Sequence, residues 1–418
     1  MTIANAINKR VAIGKQSAKG TIAAVGLATA QLLRFKSFPQ DHSSENYMSE
    51  EMRTDRQVGG VFMGPQDGNG SLSAELSPGS FEAFQAAVLR KDFVAGSSDA
   101  ANESVAAAAT TGAAGTFTRD DVSGDWLDDG FKVGDVVQQT GWTTTGATNN
   151  THNFLITALT ATVMTVLALD GTPPAMKIKG DPVTTTVKGQ KTWTPATGHT
   201  EDWFTIEHNY PYVDLSETFW DCKPTNMSVK APATGIPTID FSILGLQMTP
   251  QASGDAPYFT AALAITGTDA IHSGKSIVLI QGVEQLLATG IDFDIKGNNA
   301  VGQGVMGSTV KSGIYDKRVE LTGTVKILFE DDTIAALYRA GTEVSISVVL
   351  PDSDDADASF MAFSIPRAKL TGAQKEGDNE IGHSFGFTAS FNSDGDDGAT
   401  CTKDSLATTL SIQDSTLS

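Results

Sequence analysis

Residues 70–90 read GSLSAELSPGSFEAFQAAVLR and residues 323–341 read GTVKILFEDDTIAALYRAG. A strand, a turn and a short helix are written twice, 253 positions apart (323 − 70). In the first copy Leu72, Ala74 and Leu76 alternate with Ser71, Ser73 and Glu75, the period of two of a strand with one buried face. Ser77-Pro78 then starts a helix, Pro being suited to a first turn where its missing N–H costs nothing. Phe81, Phe84 and Val88 share one face of that helix, which predicts a lid over the Leu72 and Leu76 side of the sheet. Shifting by 253 places Val325 on Leu72, Ile327 on Ala74, Phe329 on Leu76, Ile334 on Phe81 and Leu337 on Phe84. Apolar character survives at every core position while surface letters drift. Leu72, Leu76, Phe81, Phe84, Val325, Phe329, Ile334 and Leu337 are therefore the candidate helix-on-sheet core.

More of the unit recurs. LLRFKSF (32–38) precedes the first copy and IDFDIKG (291–297) the second, each followed by a long polar loop, 39–57 and 298–318. Later strands match as well: NMSVKA (226–231) and PTIDFSILG (237–245) against RAKLTG (367–372) and HSFGFTASF (383–391). An internal duplication accounts for the pattern. Asp-Gly at 67–68 reads as a hairpin turn inside the first copy. Between helix and late strands the first copy carries roughly a hundred extra residues. They open on an Ala/Gly/Ser/Thr-rich stretch, 94–116, read as a linker. A small antiparallel β-domain follows, with Trp126, Phe131, Val133, Val136, Phe154, Ile156 and Val166 as its core. The expected divisions are an N-terminal arm (1–30), a first module (31–95 plus 201–250), the insert with its linkers (96–200), a second module (251–392) and a polar, acidic, mobile or partner-docked tail (393–418). The fold class is mainly β (α+β).

The chain has 418 residues and a formal net charge of −20 from 29 basic and 49 acidic side chains. Such a surface does not bind nucleic acid by charge, since binding requires cations that displace counterions from phosphates. Cys222 and Cys401, with no CxxC, read as ordinary thiols. Lys15 and Lys19 interrupt the apolar run that a leader peptide over 21–30 would need. No run approaches the ~18 apolar residues of a membrane-spanning helix, which predicts a soluble protein.

Chemistry-bearing motifs are incomplete. HSGKS (272–276) has the Gly-Lys-Ser of a phosphate loop, but position 269, where the loop needs its first Gly, is Asp. The six His residues form no HExxH and no pair at metal-ligand spacing, and no GxSxG occurs. DSDDAD (352–357) and DGDD (394–397) lack the Gly and Glu of a calcium loop. The sequence predicts no enzyme, no cofactor and no metal.

The order of elements now becomes informative: a basic arm, a strand, a long loop ending in RTDRQVGG, then GSLSAELSPGSFEAFQAAVL, then an insert with FKVGDVVQQTGWT. It resembles the tail tube proteins of long-tailed (siphovirus-like) bacteriophages in their duplicated form. The resemblance implies two tandem tail-tube sheet or barrel domains, each backed by a short helix. It further implies trimeric rings with pseudo-sixfold symmetry, stacked into a hollow tube that delivers DNA into the host. Implied partners are further copies of the chain, a tape-measure protein in the lumen during assembly, tail terminator and distal tail proteins, and double-stranded DNA in transit without specific binding. No membrane is involved. The implied location is the virion tail, after synthesis in the host bacterial cytoplasm. Ser71, Ser73, Glu75, Asp292 and Asp294 are the candidate lumen-facing residues, softened by Lys296 and Lys326. Glu50, Arg53, Asp55 and Arg56 in one loop, with Tyr315, Asp316, Lys317 and Arg318 in the other, are the candidate ring-to-ring contacts. The insert is expected to project outwards, so that excising about 114–190 leaves tube formation intact. Competing readings are another phage ring component, such as a terminator or baseplate hub, and a surface β-domain adhesin or binding protein.

Overall fold

The computed structural model of the chain describes residues 8–119, 124–178, 181–251, 254–376, 380–396 and 403–417. Strand β1 (Arg10–Lys15) and the two-residue β2 (Gln31–Leu32) precede a long hairpin of β3 (Gln40–Met48) and β4 (Val61–Glu75), which leads into helix α1 (Glu82–Leu89). After β5 (Val94–Ala95), six strands close a barrel: β6 (Ser98–Ala109), β7 (Ala114–Arg119), β8 (Val136–Thr140), β9 (Asn153–Leu159), β10 (Val163–Ala168) and β11 (Pro182–Val187). Then come β12 (Gln190–Trp193), β13 (Phe204–Tyr210), β14 (Leu215–Pro232), β15 (Thr238–Leu244) and β16 (Gln247–Gln251). The remainder holds β17 (Ile277–Ile280), β18 (Val283–Glu284), β19 (Ala288–Lys296), β20 (Ala300–Val301), β21 (Ile314–Tyr315), β22 (Glu320–Leu328), helix α2 (Thr333–Ala340), β23 (Glu343–Pro351), β24 (Phe360–Glu376), β25 (Gly382–Ala389) and β26 (Ser411–Asp414).

Eight of these strands lie side by side, all antiparallel, in the order β3-β4-β15-β14-β19-β22-β25-β24. The first four and the last four have the same internal order, with α1 following β4 and α2 following β22. Irregularities repeat too. The long strand of each half is bulged at Thr225 or at Thr371, between equivalent neighbours. The strand flanking its first part is bulged at Thr205 or at Ser345. Bulges fix register and local twist, so two copies of the same bulge pair describe one module used twice.

Alternation decides which face of the eight-stranded sheet is dry. Leu72, Phe241, Met227, Ile295 and Leu321 occupy one register row, each no more than 1% exposed. Together with Phe84, Ile334 and the rows beside them they form one core running through both modules. α1 packs over β14 and α2 over β24 on this face. α1 starts at Glu82 rather than beside Pro78, which stands in the preceding turn.

Several expectations give way. Asp67-Gly68 lies inside β4, where Asp67 pairs with Ser43 and Gly68 with His42. Gly68 packs against Phe219 and donates to the carbonyl of Gly245, so tertiary pairing overrides a local turn preference. The loop 39–57 is largely a continuation of the hairpin, paired as far as Met48 with Val61. In the Ala-rich stretch 94–116, residues 98–109 and 114–116 are barrel strand. β1, placed in the arm, is a buried strand paired with β13. β26, placed in a polar tail, pairs with both β12 and β24 and is buried throughout. No described helix is long and apolar enough to cross a membrane.

The barrel is not a free appendage. Val136, Leu155, Leu167 and Leu169 on its wall pack against Ile277, Leu279, Val349, Phe360 and Ala362 of the second module. The Gln413 side chain accepts from the Val136 N–H at 2.9 Å and donates to the carbonyls of Val136 (2.8 Å) and Lys188 (2.7 Å). A buried Lys191–Asp135 ion pair at 2.8 Å closes the same seam. Excision of 114–190 would therefore cut β6 from its partner β7 and uncover that apolar wall, and the expected indifference to this deletion does not follow from the fold.

Candidate assembly interfaces

The polar face of the sheet lies opposite the helices. Ser73, Asp240, Ser228, Asp294 and Thr322 stand in one row and Glu75, Thr238, Lys230, Asp292 and Thr324 in the next. Ser71, Ser73, Glu75, Asp292 and Asp294 thus share one face, as their alternation with buried neighbours requires. Those two rows carry four carboxylates (Glu75, Asp240, Asp292, Asp294) against one ammonium group (Lys230), with Lys296, Glu320 and Lys326 in the adjacent rows and Asp67 further along β4. Four carboxylates of the face are partly neutralised: Lys230 reaches Asp240 at 3.4 Å, Lys326 reaches Asp292 at 3.7 Å, Lys311 reaches Asp67 at 2.6 Å, and Arg318 pairs with Glu320. The face is hydroxyl-rich and mildly acidic rather than strongly charged.

The two modules meet edge to edge where β14 pairs with β19, from Asn226 opposite Lys296 to Pro232 opposite Gly290. The outer strands of the eight have no such neighbour. β3 pairs only with β4, and residues 370–376 of β24 only with β25, among the described residues. In the register of the modules, His42 corresponds to Ile295 and Ala373 to Met227. His42 is exposed and Ala373 half-buried, whereas Ile295 and Met227 are each 1% exposed. Unpaired edges of this kind are templates for another chain.

The two long loops differ. The β3–β4 hairpin runs out as an arm whose tip carries Glu50, Arg53, Asp55 and Arg56, all exposed, with Arg53 paired to Asp55 at 3.0 Å. Its stem displays Tyr47, Met48, Val61, Phe62 and Met63, each more than half exposed. Nothing in the charge-rich tip hinted at this apolar stem, although VFM (61–63) was visible in the sequence. Loop 298–318 instead folds back on the first module. Lys311 reaches Asp67 at 2.6 Å, Gln66 donates its N–H to the Thr309 carbonyl at 2.9 Å, and Asp316 is held by Lys223 at 2.6 Å. Tyr315, Lys317 and Arg318 stay exposed, but Asp316 is committed within the chain. Lys223 is almost fully buried in that pair, and its counterpart in the second module, Lys369, is exposed.

Among the described residues, titratable groups show no convergent reactive cluster. The described residues include no group of His, Cys, Asp and Glu that could hold a metal ion. Burial pushes the Cys222 thiol up to about 12, which keeps it protonated; Cys401 lies outside the described residues. HSGKS forms a short turn ahead of β17.

A hollow-tube reading thus has a sheet with one polar face, helices on the other, and two open edges. A family model described as phage tail tube protein matches residues 6–389. The chain belongs to that family. As a tail tube protein it is a structural component of the phage tail, assembling with itself and with other tail components. No curated protein was found to match the tail tube chain.

Proposed function

We propose that three copies close into a ring by joining β3 of one copy to residues 371–376 of β24 in the next, and that stacked rings form the conduit for DNA. The observation that carries this is the β14–β19 junction, in which the chain already joins one module to another through these same two edges. Transferring its register sets Gly372 opposite Ser43, Ala373 opposite His42, Gln374 opposite Asp41 and Lys375 opposite Gln40. The ring then has six modules, and every junction, internal or between copies, is built alike.

Three copies supply 24 strands (3 × 8). With strands about 4.8 Å apart and tilted by about 40°, the backbone circle is roughly 50 Å across. Eight strands closing within one molecule would leave room only for side chains, and the polar rows would then be buried against one another. A shared, open lumen keeps them wet. Passing DNA meets hydroxyls and a modest excess of carboxylates, which repel phosphate only over a Debye length of roughly 8 Å: enough to prevent adhesion without obstructing passage. Rings stack head to tail, the heterologous arrangement that makes open filaments, with the apolar β3–β4 arm reaching the adjacent ring. A tape-measure protein would occupy the lumen during assembly, and terminator and distal proteins the tube ends.

Oxidation of the variant carrying Ala373→Cys and His42→Cys tests the register. Covalent oligomers ending at the trimer are expected, while Ala373→Cys with Asp41→Cys, which faces away, stays monomeric. Monomer alone from the first pair, in protein imaged as tubes, would sink the proposed junction.

A further inference from the structure

The module-one helix is sealed by a segment with no counterpart among the described residues of the second module. Residues 263–271 run beside β2, with the Leu263 N–H donating to the Ala30 carbonyl at 2.7 Å and the Leu32 N–H to the Leu263 carbonyl at 3.0 Å. The segment then crosses the start of α1. Thr266 bonds Ser80, the Thr268 hydroxyl donates to the Pro78 carbonyl at 2.7 Å, and the Ile271 N–H donates to the Leu76 carbonyl at 2.9 Å. Ile271, Leu76 and Phe84 are all 0% exposed, and six of α1's eight residues are buried.

In the second module the same place is an open groove of about 320 Å³, lined by 283–287, Phe329, Thr333, Ile334 and Leu337. Residues 283–287 correspond to 31–35, and Phe329 to Leu76. Phe329 is 39% exposed, Leu286 83% and Ile381 52%, and in α2 only Ile334 and Ala335 are buried. Among the described residues, nothing donates to the Phe329 carbonyl as Ile271 does to that of Leu76.

The sealing segment runs directly into β17, which pairs with β23 as β1 pairs with β13. Ile280 lies opposite Ile346 and Ile13 opposite Ile206, beside matching bulges. What precedes β1 is the pseudo-equivalent of what precedes β17. We infer that residues 1–7 of one copy, MTIANAI, seal the module-two groove of the preceding copy, with Ile3 within one residue of Ile271's counterpart. The inference rests on the ring reading, because only there does a first module follow a second module across a subunit boundary. An apolar strap from the next chain would bury Phe329 and Leu286 and satisfy the open carbonyl.

The test mixes two full-length chains, each with Cys401→Ser: one carries Ile3→Cys, the other Phe329→Cys. Under oxidation a covalent heterodimer is expected in the mixture and in neither variant alone beyond same-site background. The junction pair Ala373→Cys/His42→Cys is run beside it. Junction cross-linking without the Ile3–Phe329 product overturns the strap and leaves the ring standing. Failure of both overturns both. A cross-link formed only inside one chain carrying both cysteines also overturns the inter-copy strap. Deleting residues 2–7 is expected to leave the folded monomer's thermal midpoint unchanged and to abolish assembled rings; rings at wild-type yield would contradict it.

Discussion

His208 sits where β13 backs onto the base of the β3–β4 hairpin. Its Nε2 lies 3.1 Å from the Gln40 side-chain oxygen, with the rings of Phe38 and Phe219 packed at 4.9 and 5.4 Å. Burial first, and the Lys9 charge second, push its pKa down from 6.5 to about 3. A depressed folded-state value favours the neutral ring, so its contribution is complete above about pH 6.5 and is lost as pH falls towards 3. His208→Gln is therefore expected to flatten the acid limb of a thermal-midpoint-versus-pH curve, relative to wild type, by up to roughly 2–3 kcal/mol near pH 4.5. Glu82 and Asp414, both raised by burial, act in the opposite sense but are common to both proteins. Gln413 gives a second residue-scale prediction. Gln413→Ala leaves the Val136 N–H and the Lys188 carbonyl without this partner in a buried seam, while the Val136 carbonyl keeps the Lys188 N–H, and about 2–4 kcal/mol should be lost in denaturant unfolding. The alternation that places Leu72, Leu76, Phe84 and Val325 inside could be read from the letters alone. Phe329 and Leu337 are as apolar as Leu76 and Phe84 but only partly covered, because among the described residues a covering segment, 263–271, exists for one module alone. No local pattern carries that information.

At the scale of elements, the duplication and both strand–helix units were legible because periodicity of two survives drift in surface residues. The barrel's existence was legible too, but not its attachment: an apolar outer wall and an apolar inner wall look alike in sequence. β5 and β12 form its neck, with Ala95 opposite Gln190, so replacing 96–189 by Asn-Gly makes a two-residue hairpin turn there. This variant should fold and form thinner tubes. Its thermal midpoint should fall, because Ile277, Leu279, Val349 and Phe360 become exposed at roughly 1.5–3 kcal/mol each. An unchanged midpoint would mean that the wall contributes little. The hairpin arm yields a separable prediction. Phe62→Asp with Met63→Ser should leave single rings in electron micrographs while abolishing long tubes; unaltered tubes would remove the arm from ring stacking.

On the scale of the whole molecule, the account reduces to edges and faces. One chain carries two modules, joined by a junction that leaves an equivalent edge open at each end, and a polar face opposite its helices. The residues that make the faces were readable in the sequence. The edges were not, since a strand's letters do not say whether a neighbour lies beside it. Imaging assembled tubes along their axis, at a resolution that separates strands, is the most direct test. The account predicts three copies per ring, 24 continuous strands, Asp294 and Ser73 facing the hollow centre and α1 and α2 outside. Sheets closed within single copies, or helices turned towards the axis, would contradict it.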